Sequence, residues 1–322
     1  MSKLPTETSS SQPNTASSAQ TNVNTSSSKT SRPLPMSPKQ ILVTGGCGFI
    51  GGHLVEKLMD KYPDASVVVV DDLRTPGNYR VDGVEYLNES IQDAHERNAL
   101  LEWDFDYIYH LGNTPRVRRA IEFPAETIDN NVTSTTAVCE IGLRCSAQVY
   151  FAQSSSIQYE DTVDNAYTLS KIFCDDILNL YQFQYGLNVT KMFFYSVYGP
   201  READYGPYST VVKRFSQRVE SDEVLEIYGD GNKTRDFTHV EDVTRNMMLM
   251  MDEIGFIDEI HFGKGDPRSI QEIANAYHHP MVYKFNMPGE AQDTHCEDGY
   301  GDYDYDVIEY ITEWVKGRSS VH

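Results

Sequence analysis

The sequence is short of positive charge. It holds 27 lysines and arginines against 48 aspartates and glutamates, a formal net charge of −21. A surface of that sign repels nucleic acid and anionic membranes, so neither is expected as a partner. Long apolar runs are missing too. None approaches the ~20 residues that a membrane-spanning helix needs, and no secretory signal is read. The five cysteines (Cys47, Cys139, Cys145, Cys174, Cys296) are odd in number and show no Cys-x-x-Cys pair. They fit reduced thiols in a cytoplasmic compartment rather than a disulfide framework. The histidines are scattered without ligand spacing, so no metal site is expected. No internal repeat is found. Residues 1–38 lack apolar periodicity altogether and consist largely of Ser, Thr, Asn, Gln, Ala and Pro. Such a segment buries too little surface to offset its ordering entropy and reads as a disordered tail. Being Ser-rich, with Glu7 as its one acid, it also has the composition of a transit peptide.

From residue 39 onward the chain has the length of one large α/β domain or a two-lobed enzyme. Its most pointed stretch is ILVTGGCGFIGGHL, residues 41–54. A short apolar strand runs into Gly45, Gly46, Gly48, Gly51 and Gly52, and an apolar-periodic helix follows. In that context the glycines have separate uses. Gly45 permits a tight turn, Gly48 lets the backbone approach a pyrophosphate, and Gly51 lets helix and strand pack closely. The helix N-terminus then offers unpaired N–H groups to the phosphates. The spacing is G-x-x-G-x-x-G rather than the commoner G-x-G-x-x-G. A second strand, SVVVV at 66–70, ends at Asp71 and Asp72. An acid at that strand end accepts hydrogen bonds from an adenosine ribose and repels a 2′-phosphate, which favours NAD over NADP. Arg74 is the dissenting residue, since an arginine there could pair a 2′-phosphate.

A second stretch, DNAYTLSKIFCDDILNLYQFQYG, has helical periodicity and sets Tyr167 and Lys171 at i and i+4, on one face. A tyrosine of pKa ~10 is a poor base at neutral pH, and lowering it by about 3 units needs about 4 kcal/mol. An ammonium ~4 Å away supplies about that at an effective dielectric near 20. Tyr167 would then take a proton from a substrate hydroxyl while hydride leaves the same carbon. Upstream, VYFAQSSSIQY reads as a strand ending in Ser154, Ser155 and Ser156, where a hydroxyl could hold the reacting oxygen or simply belong to a loop.

TGGCGFIG, the terminal Asp71, HLGNTPRVRRAIEFP, DNNV, the triple serine, YTLSK, YSVYGPRE, LEIYGDGNKTRDFTHVEDV and HFGKGDPRSIQEIA occur in order over roughly residues 40–290. Together they resemble the extended short-chain dehydrogenase/reductase family, the NAD-dependent nucleotide-sugar epimerases and dehydratases. That resemblance implies pyrophosphate contacts from Gly45, Gly48, Phe49 and Ile50, with Gly51 in the turn. It implies ribose contacts from Asp71 and Asp72 and adenine contacts from Ser90 and Ile91. Leu111 and Gly112 would line the cofactor, with Asn131 near the phosphates. Ser155 would be the catalytic hydroxyl beside Tyr167 and Lys171, with Ser156 as alternative. On the substrate side it implies Ser196, Tyr228 against the nucleotide base, Arg235 on the diphosphate, and Arg118. Arg235 and Arg118 would supply the local positive charge that an anionic ligand needs in so acidic a chain. A homodimer through the YxxxK helix and its neighbour is implied as well. Departures from the pattern are Ser90 for an aspartate, Ser196 for an asparagine, Glu160 for a glycine, and Met287 for an arginine before Pro288, Gly289 and Glu290.

The fold expected is a doubly wound parallel Rossmann-type sheet with a smaller, discontinuous lobe. Residues 39–196 plus 237–263 would form the NAD-binding domain, and 197–236 plus 264–322 the nucleotide-sugar lobe. The reaction expected is 4-epimerisation of a nucleotide-linked hexose or hexuronate, with UDP as the expected nucleotide, through a 4-keto sugar. Ser156 and Ile157 stand where a dehydratase of this family carries an acid pair and a decarboxylase a glutamate. A related dehydratase, decarboxylase or reductase is the alternative within the class, and an NAD-binding regulatory protein without turnover the alternative outside it. The Met cluster at 247–251 reads as a helix packing inward, and CEDGYGDYDYDV as a solvated loop or a cation chelator.

Overall fold

The computed structural model describes residues 38–75, 77–159, 165–203, 208–253, 257–286 and 291–319. The N-terminal tail, Glu160 and residues 287–290 lie outside them. Seven parallel strands form the central sheet: β1 (Gln40–Thr44), β2 (Ser66–Val70), β3 (Glu85–Leu87), β4 (Tyr107–His110), β5 (Gln148–Ser154), β6 (Asn188–Phe194) and, later in the chain, a strand at Glu259–Phe262. Numbered in chain order that last strand is β9, after β7 (Leu225–Tyr228) and β8 (Thr234–Asp236). The sheet order β3-β2-β1-β4-β5-β6-β9 reverses direction at β1, between β2 and β4. A crevice opens there, beyond the carboxyl ends of the strands, where α/β sheets hold ligands.

Both faces of the sheet are covered, which is why its strands are near-continuous apolar runs. On one side α1 (Phe49–Lys61) packs with α7 (Val240–Glu253), and Met247, Met248, Met250 and Met251 are all buried in that layer. On the other side lie α2 (Ile91–Glu96), α4 (Pro124–Cys145) and α5 (Ala166–Leu180), over Leu42, Ile108, Val149 and Phe151. A short helix α3 (Val117–Glu122) precedes α4, which starts on Pro124, where a missing N–H costs nothing.

A separate apolar cluster joins α6 (Val211–Glu220), β7, α8 (Ile270–Ala276) and α9 (Val307–Ser319) around Phe215, Ile227 and Ile273. Its strands are few. β7 pairs in parallel with β11 (Met281–Lys284), and β8 pairs antiparallel with β10 (Pro267–Ser269). Asp236 ties this part together. Its buried carboxylate accepts the backbone N–H groups of Lys264, Gly265 and Cys296. The acidic loop after Cys296 is largely exposed, and two ion pairs tie it down, Arg245 on Asp304 and Lys264 on Asp306. All five cysteines are free and buried. Among the described residues no helix is long and apolar enough to cross a membrane.

Candidate active site

A cleft of about 470 Å³ runs from the glycine turn to β7. Its floor is set by the turn after β1. Gly45 has φ +71°, and a Cβ there would lie 2.7 Å from the Leu111 carbonyl group. A Cβ on Gly51 would stand 2.1 Å from Gly45 O. Only glycine lets the turn close against both the loop after β4 and the start of α1. α1 begins with no side-chain cap and no acid in its first turn. Its first N–H groups and positive dipole end are therefore left for an anion in a cleft lined by Gly45, Gly48, Phe49, Ile50 and Gly51.

Asp71 and Asp72 line the same cleft at the end of β2. Asp71 accepts the Cys47 N–H at 2.9 Å and the Leu73 N–H at 2.9 Å, so it also braces the glycine turn. Burial pushes its carboxyl above the usual value, and those two bonds pull it back. Arg74 does not stand free for a 2′-phosphate. It pairs with Asp72 at 2.9 Å and reaches Glu126 at 3.5 Å. The residues present thus fit a dinucleotide without a 2′-phosphate: an open helix N-terminus, a turn that excludes side chains, and acids at the ribose end.

Ser90 and Ile91 line the cleft, and the structure accounts for the serine. Ser90 caps α2, accepting the Asp93 N–H at 3.1 Å and donating to its carboxylate at 2.6 Å. Leu111 and Gly112 lie in the cleft wall. Asn131 does not. It is fully buried, and its side chain accepts the Thr114 N–H at 2.6 Å and donates to Ser170 Oγ at 2.8 Å. Its neighbour Asn130 faces the cleft instead. One residue of helical rotation decides which of two adjacent asparagines lines the cleft, and a sequence pattern does not resolve it.

α5 is started by Asn165, whose side chain accepts the Thr168 N–H at 2.9 Å. That cap fixes the first turn, which carries Tyr167, and Lys171 follows one turn later on the same side. Both line the cleft. The Lys171 ammonium is buried and donates to Asn113 Oδ1 and to Ala152 O, each at 2.7 Å. An ammonium has no acceptor, so Asn113 must turn its oxygen to Lys171 and its NH₂ to His110 Nε2, 3.1 Å away. His110 Nε2 is then the acceptor, and Nδ1–H faces Thr44 Oγ1 at 2.6 Å. Burial and the Lys171 charge push His110 down to about 3, so the ring is neutral. Burial likewise pushes Lys171 down to about 8.

The electrostatics of Tyr167 differ from the expectation. Burial raises its pKa, and the groups that pull it back are the Ser154 side chain, by hydrogen bond, and the Arg116 charge. Lys171 is engaged elsewhere, with Asn113 and Ala152. The expected hydroxyl partner, Ser155, lines the cleft at the start of a 3₁₀ turn, as does Ser156. Ser154 Oγ, which also meets Ser156 Oγ at 2.9 Å, is the one bonded to the phenol.

On the far wall, Arg118, Ser196, Tyr228 and Arg235 all line the cleft. The Tyr228 ring is not bare. Arg118 lies 5.4 Å and Arg214 5.6 Å from its centroid. Arg235 donates to the carbonyls of Thr234 (2.7 Å) and Gln292 (3.2 Å). Sequence reasoning missed Arg116, Asn113 and Arg214, and named Ser154 only alongside Ser155 and Ser156. Three arginines fall within four residues at 116–119, and nothing in the pattern sorts them. The structure does: Arg119 is buried against Glu126, Arg118 faces Tyr228, and Arg116 lies nearest in effect to Tyr167.

A glycine turn under an open helix end, an acid at the next strand and a Tyr-x-x-x-Lys helix over one crevice define a dinucleotide-dependent enzyme of the short-chain dehydrogenase/reductase type. The chain belongs to the NAD-dependent epimerase/dehydratase family, whose model matches residues 41–260. It is 30% identical over 261 residues to a UDP-N-acetyl-α-D-glucosaminuronate decarboxylase of Bacillus cytotoxicus, covering 74% of this chain and 79% of the relative. In structure it is similar to the UDP-glucose 4-epimerase of Thermotoga maritima solved with UDP-glucose, at a TM-score of 0.75 and 25% identity, over 88% of this chain and 100% of the other. It is also similar to the UDP-N-acetylglucosamine 4-epimerase of Methanobrevibacter ruminantium, at a TM-score of 0.76 and 25% identity, over 88% and 99%.

Proposed function

We propose that the protein is a 4-epimerase of a nucleotide-linked hexose or hexuronate, with a UDP-sugar as substrate. The observation that carries this reading is the joint opening of Tyr167 and Lys171 onto the cleft that begins at the glycine turn. NAD would be held by the glycine turn and by Asp71, and would supply a reversible hydride acceptor at the sugar C4. Tyr167 removes the C4 hydroxyl proton as that hydride leaves, and gives it back when the 4-keto sugar has turned over in the cleft. Ser154 and Ser155 hold the reacting oxygen, and Lys171, fixed by Asn113, keeps a positive charge beneath it. Arg214 and Arg235, in the smaller lobe of residues 197–236 plus 264–322, bind the nucleotide diphosphate together with Arg118 from the NAD-binding part. Ser156 and Ile157 supply no extra acid for eliminating water. A homodimer through α5 belongs to the same reading, supported by the exposure of Phe173 and Leu180 on that helix.

The decarboxylase among the relatives supports a second reading, oxidation at C4 followed by loss of carbon dioxide from a uronate. Incubation of the purified protein with UDP-glucose and UDP-glucuronate, without added NAD, separates the two. The proposal expects a product of unchanged mass and inverted C4; loss of carbon dioxide or water rejects it in favour of a relative's reaction. Tyr167→Phe should lower turnover by about 10²–10⁴-fold while NAD stays bound.

A further inference from the structure

The substrate side of the cleft is rich in positive charge. Arg116, Arg118, Arg214, Lys233 and Arg235 all line it, in a chain of net charge −21. Arg118 and Arg214 gather at Tyr228, at the β7 end. Arg116 lines the same cleft as Tyr167, and its charge acts on the Tyr167 phenol.

Its backbone is unusual. Arg116 has φ +80° and ψ +130° at the residue before α3. A side chain there is strained, where glycine would not be, and such strain persists only where the surroundings enforce it. One enforcing contact is visible: Nε donates to the Tyr208 carbonyl at 3.1 Å, anchoring the side chain at the cleft wall. Among the described residues no carboxylate forms an ion pair with the rest of its guanidinium. Arg119, three residues on, is by contrast bidentate on Glu126 at 2.9 Å. The buried Glu202 feels the Arg116 charge, but its Oε1 is given to the Gly199 N–H at 3.0 Å, and burial pushes its carboxyl up, toward the neutral form.

Arg116 therefore brings a cation to the Tyr167 end of the cleft. If Tyr167 acts at C4, that end also holds what hangs from C5, because C5 is bonded to C4. In a hexose this is a hydroxymethyl group, which makes no use of a cation. In a hexuronate it is a carboxylate, the group a guanidinium binds in a planar, charge-assisted pair.

We infer that Arg116 is a specificity-determining residue and that the cleft selects nucleotide-linked hexuronates, with the sugar carboxylate on the Arg116 guanidinium. The inference rests on the nucleotide-sugar reading above and narrows its substrate class.

Calorimetric titration of the NAD-loaded full chain tests it. UDP-glucuronate should bind about 10–100-fold more tightly than UDP-glucose, the range expected of one charge-assisted contact. Arg116→Gln should bring that ratio close to one, and Arg116→Lys should keep part of it. Arg116→Gly removes the strained backbone and the guanidinium together. It should melt no lower than the parent and still lose the discrimination, which separates binding from folding. Equal affinity for the two nucleotides in the parent, or an Arg116→Gln that weakens both by one factor, overturns the inference. Discrimination without C4 inversion would sink the epimerase reading alone; inversion without discrimination would sink only the role given to Arg116.

Discussion

Tyr167 and Lys171 stand one helical turn apart but have different local duties. Lys171 is locked by Asn113 and Ala152, so its charge is a fixed feature of the cleft floor. Its ammonium is held near 8 and is lost as the pH rises through that value. The alkaline limb of the kcat profile should therefore fall near 8. Asn113→Leu removes an acceptor and should move that limb to lower pH, whereas Asn113→Asp, which adds an anion, should move it up; an unmoved limb in both would deny Asn113 its positioning role. His110 links Asn113 to Thr44 and is neutral when folded, at about 3 against an ordinary 6.5. Its folded value lies below its unfolded one, so the unfolded chain binds a proton that the folded chain does not. Stability should fall as the pH drops from about 6.5 toward about 3. Melting temperatures across that interval should slope less steeply in His110→Gln than in the parent.

At the scale of elements, the glycine turn and α5 position everything else. Gly51→Ala would drive a Cβ to 2.1 Å from Gly45 O, against backbone that has nowhere to move. It should cost about 1–3 kcal/mol and lose NAD. Gly317→Ala is the control within a helix. Nothing lies within 4 Å of a Cβ there, so it should stabilise by about 0.5–1 kcal/mol, read as a rise in melting temperature with NAD retained. These elements were legible because their physics is local. A strand that runs into spaced glycines, and a Tyr and Lys at i and i+4, carry their meaning within a few residues. What stayed hidden depends on rotation and long-range contact. Asn130 and Asn131 differ by one step around α4, and only packing against Thr114 and Ser170 decides that Asn131 turns inward. Ser154 ends the strand and bonds the Tyr167 phenol, while Ser155 opens the 3₁₀ turn and also lines the cleft, and no pattern in the sequence separates the two. The charge acting on Tyr167 comes from Arg116, 51 positions away in sequence, and no periodicity points to it.

Across the whole molecule, the charge is unevenly placed. The chain carries −21, yet the substrate side of its cleft is lined by four arginines and a lysine. Self-repulsion of the acidic surface opposes compaction, while the cationic cleft attracts an anionic ligand. Raising ionic strength to about 0.15 M screens both beyond about 8 Å. It should raise the melting temperature of the ligand-free protein and weaken UDP-sugar binding at the same time. Two responses of the same sign would mean that the cleft does not act as an anion site. The central claim is a hydride that leaves C4 and comes back, with Tyr167 handling the proton. It is tested most directly by proton and deuterium NMR of a UDP-sugar labelled with deuterium at C4, incubated with the purified protein and no added NAD. An epimerase gives inverted C4 in a product that keeps its deuterium; deuterium lost to solvent, or a sugar unchanged by folded, NAD-loaded protein, rules it out.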